Sequence, residues 1–261
     1  MSPSNYVIVT DLDGTLLNDK TKVPQSNLDA IKKFTSAGGY FTLASGRYGN
    51  KVGELFPDFE KYINAPAVLC NGAYLCDFQK NEIVFENPTP TDKYMPIING
   101  ILSGFPDLDD MVIVVKRNGV FTPINPKDLH DDYIYKVVAY APSDYLLKVR
   151  EYAEKNFSDI WYFSKSSKTL FEILNPNATK GKTIIKLKEL YAKMGMDVKI
   201  IAVGDYENDY DMLCCADIAA CPSNAIDKVK EVCDIHLCDN NTGCIADLID
   251  RILSNKPEVR K

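Results

Sequence analysis

Continuous apolar runs alternate with helical periodicity in the N-terminal part of the chain. Residues 7–9 form an unbroken apolar run, which is typical of a strand covered on both faces. Residues 26–37 place apolar side chains at helical spacing, and residues 40–44 and 66–70 repeat the strand pattern. Between these two strands, a helix is predicted to open at Ser45 and run toward residue 56. The β-α-β-α-β order predicts a parallel sheet with right-handed crossovers.

The pattern changes from about residue 86, where Pro88 and Pro90 interrupt it. Turn signals at 117–119 and 165–167 then predict hairpins, and therefore antiparallel pairing. The elements predicted in this region are strands at 111–116, 136–140, 160–164 and 169–174 and a helix at 144–156.

An α/β rhythm resumes after Pro176, with a helix over 181–194, a strand over 198–205 and a helix over 208–215. The fold class predicted is therefore α/β, a parallel-sheet core interrupted by an inserted α+β domain. We place the core at residues 1–85 and 179–261 and the insertion at residues 86–178.

Acidic residues follow two of the predicted buried strands at their carboxyl ends. Asp11 and Asp13 follow the first strand, and Asp205 and Asp209 lie at the end of the 198–205 strand. Ligands bind at the carboxyl ends of parallel strands, so neighbouring strands would bring these acids into one crevice. Two such charges 4 Å apart repel by about 4 kcal/mol at an effective dielectric near 20, which calls for a cation. Oxygen ligands favour Mg²⁺.

Each acidic segment taken alone has a simpler interpretation, because Asp and Gly are ordinary turn residues. Ser45 is predicted at a helix N-terminus, where backbone amides favour anions, but it could also be a plain N-cap. Lys180 opens another predicted helix, and its alternative is a solvated basic loop. A shared functional site becomes the better interpretation only when all of these segments are considered together.

Composition narrows the class of protein. A chain of 261 residues with 46% hydrophobic and 25% charged residues is an ordinary globular sequence. A net charge of −6 argues against bulk nucleic-acid or membrane binding, so an anionic substrate would need a local cation. With no signal-peptide pattern and no long apolar stretch, we expect a soluble cytoplasmic protein. The eight cysteines lack zinc-pair spacing, and we expect reduced thiols.

The ordered motifs resemble the haloacid dehalogenase (HAD) superfamily. They are Asp11-Leu-Asp-Gly-Thr15, Ser45-Gly-Arg47, Lys180-Gly181 and Gly204-Asp205-x-x-Asn208-Asp209. The insertion resembles the type IIB cap of the Cof-like phosphatases in that superfamily. The resemblance implies a Rossmann-like parallel-sheet core, the HAD fold, with an inserted α+β type IIB cap domain.

The resemblance also implies a role for each motif residue. Asp11 would be the nucleophile and Asp13 the general acid and base. Mg²⁺ would be bound by the Asp11 carboxylate, the Asp13 backbone carbonyl and Asp205, with Asp209 supporting it from close by. The phosphate-binding residues implied are Ser45, Lys180 and Asn208, and the possible substrate contacts are Arg47, Asn71 and Gly72.

These roles imply a Mg²⁺-dependent phosphatase acting on a small-molecule phosphate monoester, a sugar or cofactor phosphate, through an aspartyl phosphate on Asp11. The chemistry is consistent, because a carboxylate nucleophile splits one difficult displacement into two easier steps. A phosphotransferase or mutase would use the same intermediate and remains open. A phosphoacceptor switch would be a shorter single domain, and a nucleotide-binding dehydrogenase lacks its G-x-G-x-x-G after the first strand.

Overall fold

A computed structural model describes residues 2–116, 121–123 and 133–254. The chain forms two compact units, one made of Met1–Glu86 with Lys180–Lys261 and the other of Asn87–Thr179. The predicted turn at 117–119 lies outside the described residues.

The helices and strands are numbered in chain order. Before the insertion lie β1 (Tyr6–Thr10), α1 (Gln25–Ser36), β2 (Tyr40–Leu43), α2 (Gly49–Leu55), β3 (Ala67–Leu69), β4 (Tyr74–Asp77) and β5 (Glu82–Glu86). The second unit contains β6 (Thr89–Pro90), α3 (Thr91–Gly104), β7 (Val112–Lys116), β8 (Phe121–Pro123), β9 (Tyr133–Tyr140), α4 (Ser143–Phe157), β10 (Tyr162–Ser167) and β11 (Leu170–Leu174). The first unit is completed by α5 (Lys180–Lys193), β12 (Lys199–Val203), α6 (Tyr210–Cys215), β13 (Ile218–Cys221), α7 (Asp227–Lys230), β14 (Ile235–His236) and α8 (Cys244–Leu253).

The first unit is built on a parallel sheet in the order β14-β13-β12-β1-β2. Residues 7–9 are fully buried, as expected of a strand covered on both faces. Strands β1 and β12 are neighbours, with Thr10 opposite Val203. The two strands that precede the acidic clusters therefore lie side by side, and the α/β fold class with a parallel core is confirmed.

Strand β3 departs from the predicted parallel sheet. It pairs antiparallel with β4, which pairs with β5 in a separate sheet, and it meets the end of β2 through the isolated Ala44–Val68 bridge. The chain turns sharply at Cys70–Gly72, where all three residues have positive φ. This turn returns the chain directly along β3, so β3 forms a hairpin with β4.

The second unit is an antiparallel sheet in the order β10-β11-β9-β7-β8, with β6 added along β9. The antiparallel pairing that the two turn signals predicted is present between β7 and β8 and between β10 and β11. Helix α3 was not predicted, because Pro96 and two glycines weaken its helical signal. Packing of its apolar side chains stabilises the helix instead. Tyr94, for example, stacks on Trp161 with ring centroids 4.0 Å apart.

None of the helices in the described part of the chain has the length and hydropathy needed to cross a membrane.

Candidate active site

Three carboxylates meet at the carboxyl ends of β1 and β12. Asp11 follows β1 directly, and its backbone N–H donates to the Val203 carbonyl at 2.8 Å. Asp205 lies two residues beyond β12, and Asp209 ends the short 3-10 turn Glu207–Asp209. One oxygen from each of the three lies within 4.8 Å of the others. Neighbouring strands thus bring together acids that are almost 200 residues apart in sequence.

Two glycines allow this close approach. Gly14 has φ +83°, and a Cβ placed on it would lie 2.6 Å from Oδ2 of Asp205. A Cβ on Gly204 would lie 2.4 Å from the Cβ of Asp209. Real side chains do not reach such distances, so both positions need glycine for the acids to converge.

Lys180 is the cation of the cluster. Its side chain is fully buried, and its Nζ donates to Asp11 Oδ1 at 2.5 Å and to Asp209 Oδ1 at 2.6 Å. Burial alone would lower the pKa of Lys180, but the carboxylates of Asp11 and Asp209 outweigh burial and raise it. The ammonium therefore remains charged at neutral pH. The alternative interpretation of Lys180, a solvated basic loop, is wrong.

Asp209 connects Lys180 to the turn that carries Asp205. Its Oδ1 accepts from Lys180, and its Oδ2 accepts from the backbone N–H groups of Asp205 at 3.0 Å and Tyr206 at 3.2 Å. Both oxygens are therefore engaged by donors of the protein itself. This arrangement suits a supporting residue that holds its neighbours in place.

The cluster carries more negative than positive charge. Burial, and then the nearby Asp209, raise the pKa of Asp11 above its ordinary value. The same two causes raise the pKa of Asp205 to about 7, opposed by a hydrogen bond from Thr15 and by Lys180. One ammonium thus cannot neutralise three carboxylates, and the donors are the hard oxygens that Mg²⁺ prefers. The residues present fit a divalent cation.

Thr15 is a site residue whose role the sequence did not predict. Its Oγ1 donates to Asp205 Oδ1 at 2.7 Å, and both groups are buried. The hydrogen bond links the turn after β1 to the loop after β12. The available signal was a hydroxyl residue directly behind the first acidic pair, but nothing in the sequence identified its partner.

Asp13 lies in a different environment from Asp11. Its side chain is half exposed and forms an ion pair with Arg47, whereas the Asp11 side chain is buried against Lys180. Arg47 was predicted as a possible substrate contact, and in this structure its guanidinium contacts Asp13. The two acids of the first motif thus have separate basic partners.

Ser45 lies at the end of β2, but not at the helix N-terminus that the sequence predicted. Helix α2 begins at Gly49, after a bend, because the backbone N–H of Arg47 donates to Ser45 Oγ at 3.1 Å and the Arg47 carbonyl accepts from Cys70. Helix amides therefore do not surround Ser45. Its buried Oγ accepts within the loop, which leaves its own proton to donate to a ligand.

Asn71 and Gly72 reach the same loop from β3. Asn71 donates its backbone N–H to the Ser45 carbonyl at 3.0 Å, which ties the two strand ends together. Cys70 and Asn71 have φ values of 49° and 57°, a conformation that side chains rarely adopt. Such strain is concentrated at functional sites. Asn208 lies in the turn beside Asp209 and is also buried.

Sequence comparison identifies the family. The sequence model of the haloacid dehalogenase-like hydrolases matches residues 8–105 and 110–249. The chain belongs to this family. Both acidic motifs, Ser45, Arg47 and Lys180 lie within the matched ranges.

Curated relatives of the family align along nearly the whole chain. Pyridoxal phosphate phosphatase YbhA of Escherichia coli is 25% identical over 93% of this chain and 97% of its own length. The 5-amino-6-(5-phospho-D-ribitylamino)uracil phosphatase YwtE of Bacillus subtilis is 25% identical over 95% of this chain and 98% of its own length. The chain is thus an enzyme of a hydrolase family whose full-length relatives include phosphatases.

Solved structures share the fold of the whole chain. A HAD/COF-like hydrolase from Plasmodium vivax superposes with a TM-score of 0.83 at 20% identity, covering 97% of this chain and 96% of that one. The HAD subclass IIB sugar phosphatase BT4131 gives a TM-score of 0.74 at 17% identity, covering 95% of this chain and 98% of its own. The family resemblance inferred from the motifs is confirmed, and the fold of the chain is shared with a subclass IIB structure.

Proposed function

We propose that this enzyme hydrolyses a small-molecule phosphate monoester, with Mg²⁺, through an aspartyl phosphate on Asp11. The observation that carries the proposal is the buried Asp11 carboxylate at the end of β1. It accepts a hydrogen bond from Lys180 at 2.5 Å and lies in a cluster with Asp205 and Asp209. Such a group is oriented and has a fixed cation beside it. These are the requirements for a carboxylate to attack phosphorus and for the added charge to be stabilised.

In the first step, an Asp11 oxygen forms a bond to phosphorus as the bond to the leaving alcohol breaks. Asp13, two residues away and half exposed, gives its proton to that alcohol oxygen. Lys180 is proposed to stabilise negative charge on the transferring group, and the Ser45 hydroxyl, whose oxygen accepts from Arg47, is proposed to donate its proton to a phosphate oxygen.

In the second step, Asp13 takes a proton from water as the water oxygen bonds to phosphorus. The bond from phosphorus to Asp11 breaks, and its electrons return to the Asp11 carboxylate. Asp13 ends the cycle protonated, ready for the next alcohol. Two acids are needed because one is a nucleophile and the other transfers protons.

The side chains of Asp11 and Asp205 and the backbone carbonyl of Asp13 are the groups that would hold Mg²⁺, and Asp209 would support them. When bound, Mg²⁺ supplies positive charge that offsets the clustered carboxylates and the phosphate oxygens. Asn208 is proposed to contact the phosphate from the same turn.

Substrate choice is proposed to follow the relatives. They act on pyridoxal phosphate and on a phosphorylated ribitylaminouracil, and one structural neighbour is a sugar phosphatase. We therefore propose a sugar or cofactor phosphate as substrate. The unit Asn87–Thr179 is proposed to be the cap that selects it.

Replacing each acid of the first motif by asparagine tests the mechanism. Asp11→Asn removes the nucleophile, so no phosphoenzyme should form and phosphate release should be lost. Asp13→Asn keeps the nucleophile, and an activated aryl phosphate needs little protonation of its leaving group. Phosphoenzyme should therefore form but break down about 10²- to 10⁴-fold more slowly.

The readouts are phosphate release and the mass of acid-quenched protein. Phosphate release by Asp11→Asn, or label on Ser45 or a cysteine, would contradict the aspartyl-phosphate mechanism. Transfer of label to added sugar in preference to water would point to a phosphotransferase.

A further inference from the structure

Arg47 holds both carboxylate oxygens of Asp13. Its Nε donates to Oδ2 and its Nη2 donates to Oδ1, each at 2.8 Å. This is the bidentate geometry in which a planar guanidinium fixes the plane and direction of a carboxylate. The hydrogen bond with Asp13 is the largest cause of the raised pKa of Arg47, and burial partly opposes it.

The backbone of Arg47 is itself held on both sides. Its N–H donates to Ser45 Oγ at 3.1 Å, and its carbonyl accepts from the backbone N–H of Cys70 at 3.0 Å. The guanidinium therefore extends from the loop that also carries Ser45. The Arg47–Asp13 pair links this loop to the turn after β1, and it sets Asp13 relative to both Ser45 and Asp11.

The ion pair with Arg47 leaves lone pairs of the Asp13 carboxylate that can accept a proton from water. A carboxylate has about four lone-pair positions, and the guanidinium uses one on each oxygen. The Asp13 and Arg47 side chains are 46% and 40% exposed, so water can reach the remaining positions. Asp11 differs, because its side chain is only 7% exposed. Asp13 is thus an oriented acceptor in contact with solvent, which is what activation of water requires.

We propose that Arg47 is a positioning residue for Asp13, which aligns the carboxylate to take a proton from the water that hydrolyses the aspartyl phosphate. The inference rests on the proposed function. Arg47 acts through Asp13 and not as a ligand of the substrate phosphate, so its contribution belongs to breakdown of the phosphoenzyme. Formation of phosphoenzyme from an activated ester proceeds without it.

The main variant is Arg47→Met, which removes the guanidinium and retains the apolar stem. Breakdown of phosphoenzyme should slow by about 10- to 100-fold, as is typical when the partner that orients a reacting group is removed. Rapid acid quench with an activated aryl phosphate should show normal formation of phosphoenzyme and its accumulation. The kcat/KM for that ester, which reports formation of phosphoenzyme, should remain close to the wild-type value while kcat and KM fall together, and free guanidinium ion should restore part of kcat.

Arg251→Met is the matched control. Arg251 binds Asp247 in the same bidentate geometry, at 2.7 and 2.9 Å, on helix α8. It should leave both formation and breakdown of phosphoenzyme unchanged. Arg47→Lys keeps the charge without the bidentate geometry and should fall between wild type and Arg47→Met.

A double-mutant cycle with Asp13→Asn decides how Arg47 acts. If Arg47 acts through Asp13, Arg47→Met has no further effect on breakdown once Asp13 is asparagine. A full additional loss in that background, or an unchanged breakdown rate in Arg47→Met alone, would overturn the inference while phosphatase activity stands. Absence of phosphate release and phosphoenzyme in the wild type with every ester tested would instead overturn the proposed function.

Discussion

Asp209 binds the buried Lys180 ammonium at 2.6 Å through one oxygen while its other oxygen accepts from the backbone that carries Asp205. The position of the cation and the position of the acid after β12 are therefore set by one carboxylate. Asn at this position keeps the size of the side chain but has a single acceptor oxygen. It can accept from Lys180 or from the backbone amides, but not from both.

Asp209→Asn should therefore lower kcat/KM by about 10- to 100-fold and weaken Mg²⁺ binding, as is typical of residues that orient metal ligands. Steady-state kinetics across Mg²⁺ concentrations measure both effects. Asp227→Asn is the control, because the Asp227 side chain is 98% exposed. Equal kinetics in the two variants would mean that Asp209 has no supporting role.

Lys180→Met should make the stability of the protein depend on divalent cations. The substitution removes the buried ammonium from three clustered carboxylates, and breaking a buried ion pair costs about 3–5 kcal/mol. Mg²⁺ should therefore increase the thermal stability of this variant by more than it increases that of the wild type. Thermal unfolding in chelator and in Mg²⁺ measures the difference.

Lys186→Met, which removes an exposed pair with Glu189, is the control and should behave like the wild type. A Mg²⁺-induced stabilisation of Lys180→Met no larger than that of the wild type would contradict the charge argument.

Stability in chelator should fall as pH rises from about 4 to about 7, and Asp205 should contribute to the fall together with Asp11, whose pKa burial also raises. With its pKa raised to about 7, folded Asp205 keeps a proton that the unfolded chain releases near its ordinary value of 3.8. Between these two pH values the folded state therefore binds more protons than the unfolded state. The stability that this proton contributes is fully present at about pH 4 and is lost above about pH 7. The loss attributable to Asp205 is about 1–4 kcal/mol.

Urea unfolding at several pH values measures this effect as the difference between wild type and Asp205→Asn. Mg²⁺ should stabilise the wild type more at pH 8 than at pH 5, because binding needs the ionised carboxylates. A difference between the two proteins that does not change with pH would refute the assignment.

Gly14→Ala should weaken Mg²⁺ binding more than its backbone strain alone predicts. An added Cβ would lie 2.6 Å from Asp205 Oδ2, so the carboxylate must move. Gly195→Ala is a matched control, because Gly195 has a similar φ of +76° but no atom within 4 Å of an added Cβ. Both variants bear about 1–2 kcal/mol of left-handed strain, and only Gly14→Ala should change the Mg²⁺ dissociation constant. Calorimetric titration compares them.

Replacement of Asn87–Thr179 by a short flexible linker tests the cap proposal. The motif residues all lie in the other unit, so the shortened protein, if folded, should still hydrolyse a small aryl phosphate slowly. It should lose discrimination among sugar and cofactor phosphates, because a cap supplies substrate contacts and excludes water. Circular dichroism checks folding, and unchanged selectivity in a folded protein would oppose the proposal.

The two acidic segments were predictable because buried parallel strands have continuous apolar sequences. The acids that end these sequences mark the carboxyl edge, and the pairing of Thr10 with Val203 confirms that the strands are neighbours. The sequence could not show which basic side chain pairs with which carboxylate. Lys180 and Arg47 each lie far from their partners in sequence, and loop conformation decides their directions.

Errors arose where tertiary contacts override local preference. Ser45 does not open a helix, because the Arg47 N–H donates to Ser45 Oγ and the Cys70 N–H donates to the Arg47 carbonyl, and these hydrogen bonds bend the loop first. Strand β3 joins a hairpin because a left-handed turn follows it. Helix α3 forms despite Pro96 because Tyr94 and its neighbours bury an apolar face.

The division of the first unit around Asn87–Thr179 has a consequence for synthesis on the ribosome. Residues 1–86 supply only β1 and β2 of the five-stranded parallel sheet, and β12–β14 are made after the insertion is complete. A lone parallel pair lacks the partners that a stable sheet needs. The inserted unit, whose six strands are contiguous in the chain, is therefore expected to fold first, although N-terminal regions usually do so. The nascent enzyme gains its Lys180 and Asp205 segments only after the inserted unit has been made, so the catalytic cluster cannot assemble before that unit is complete.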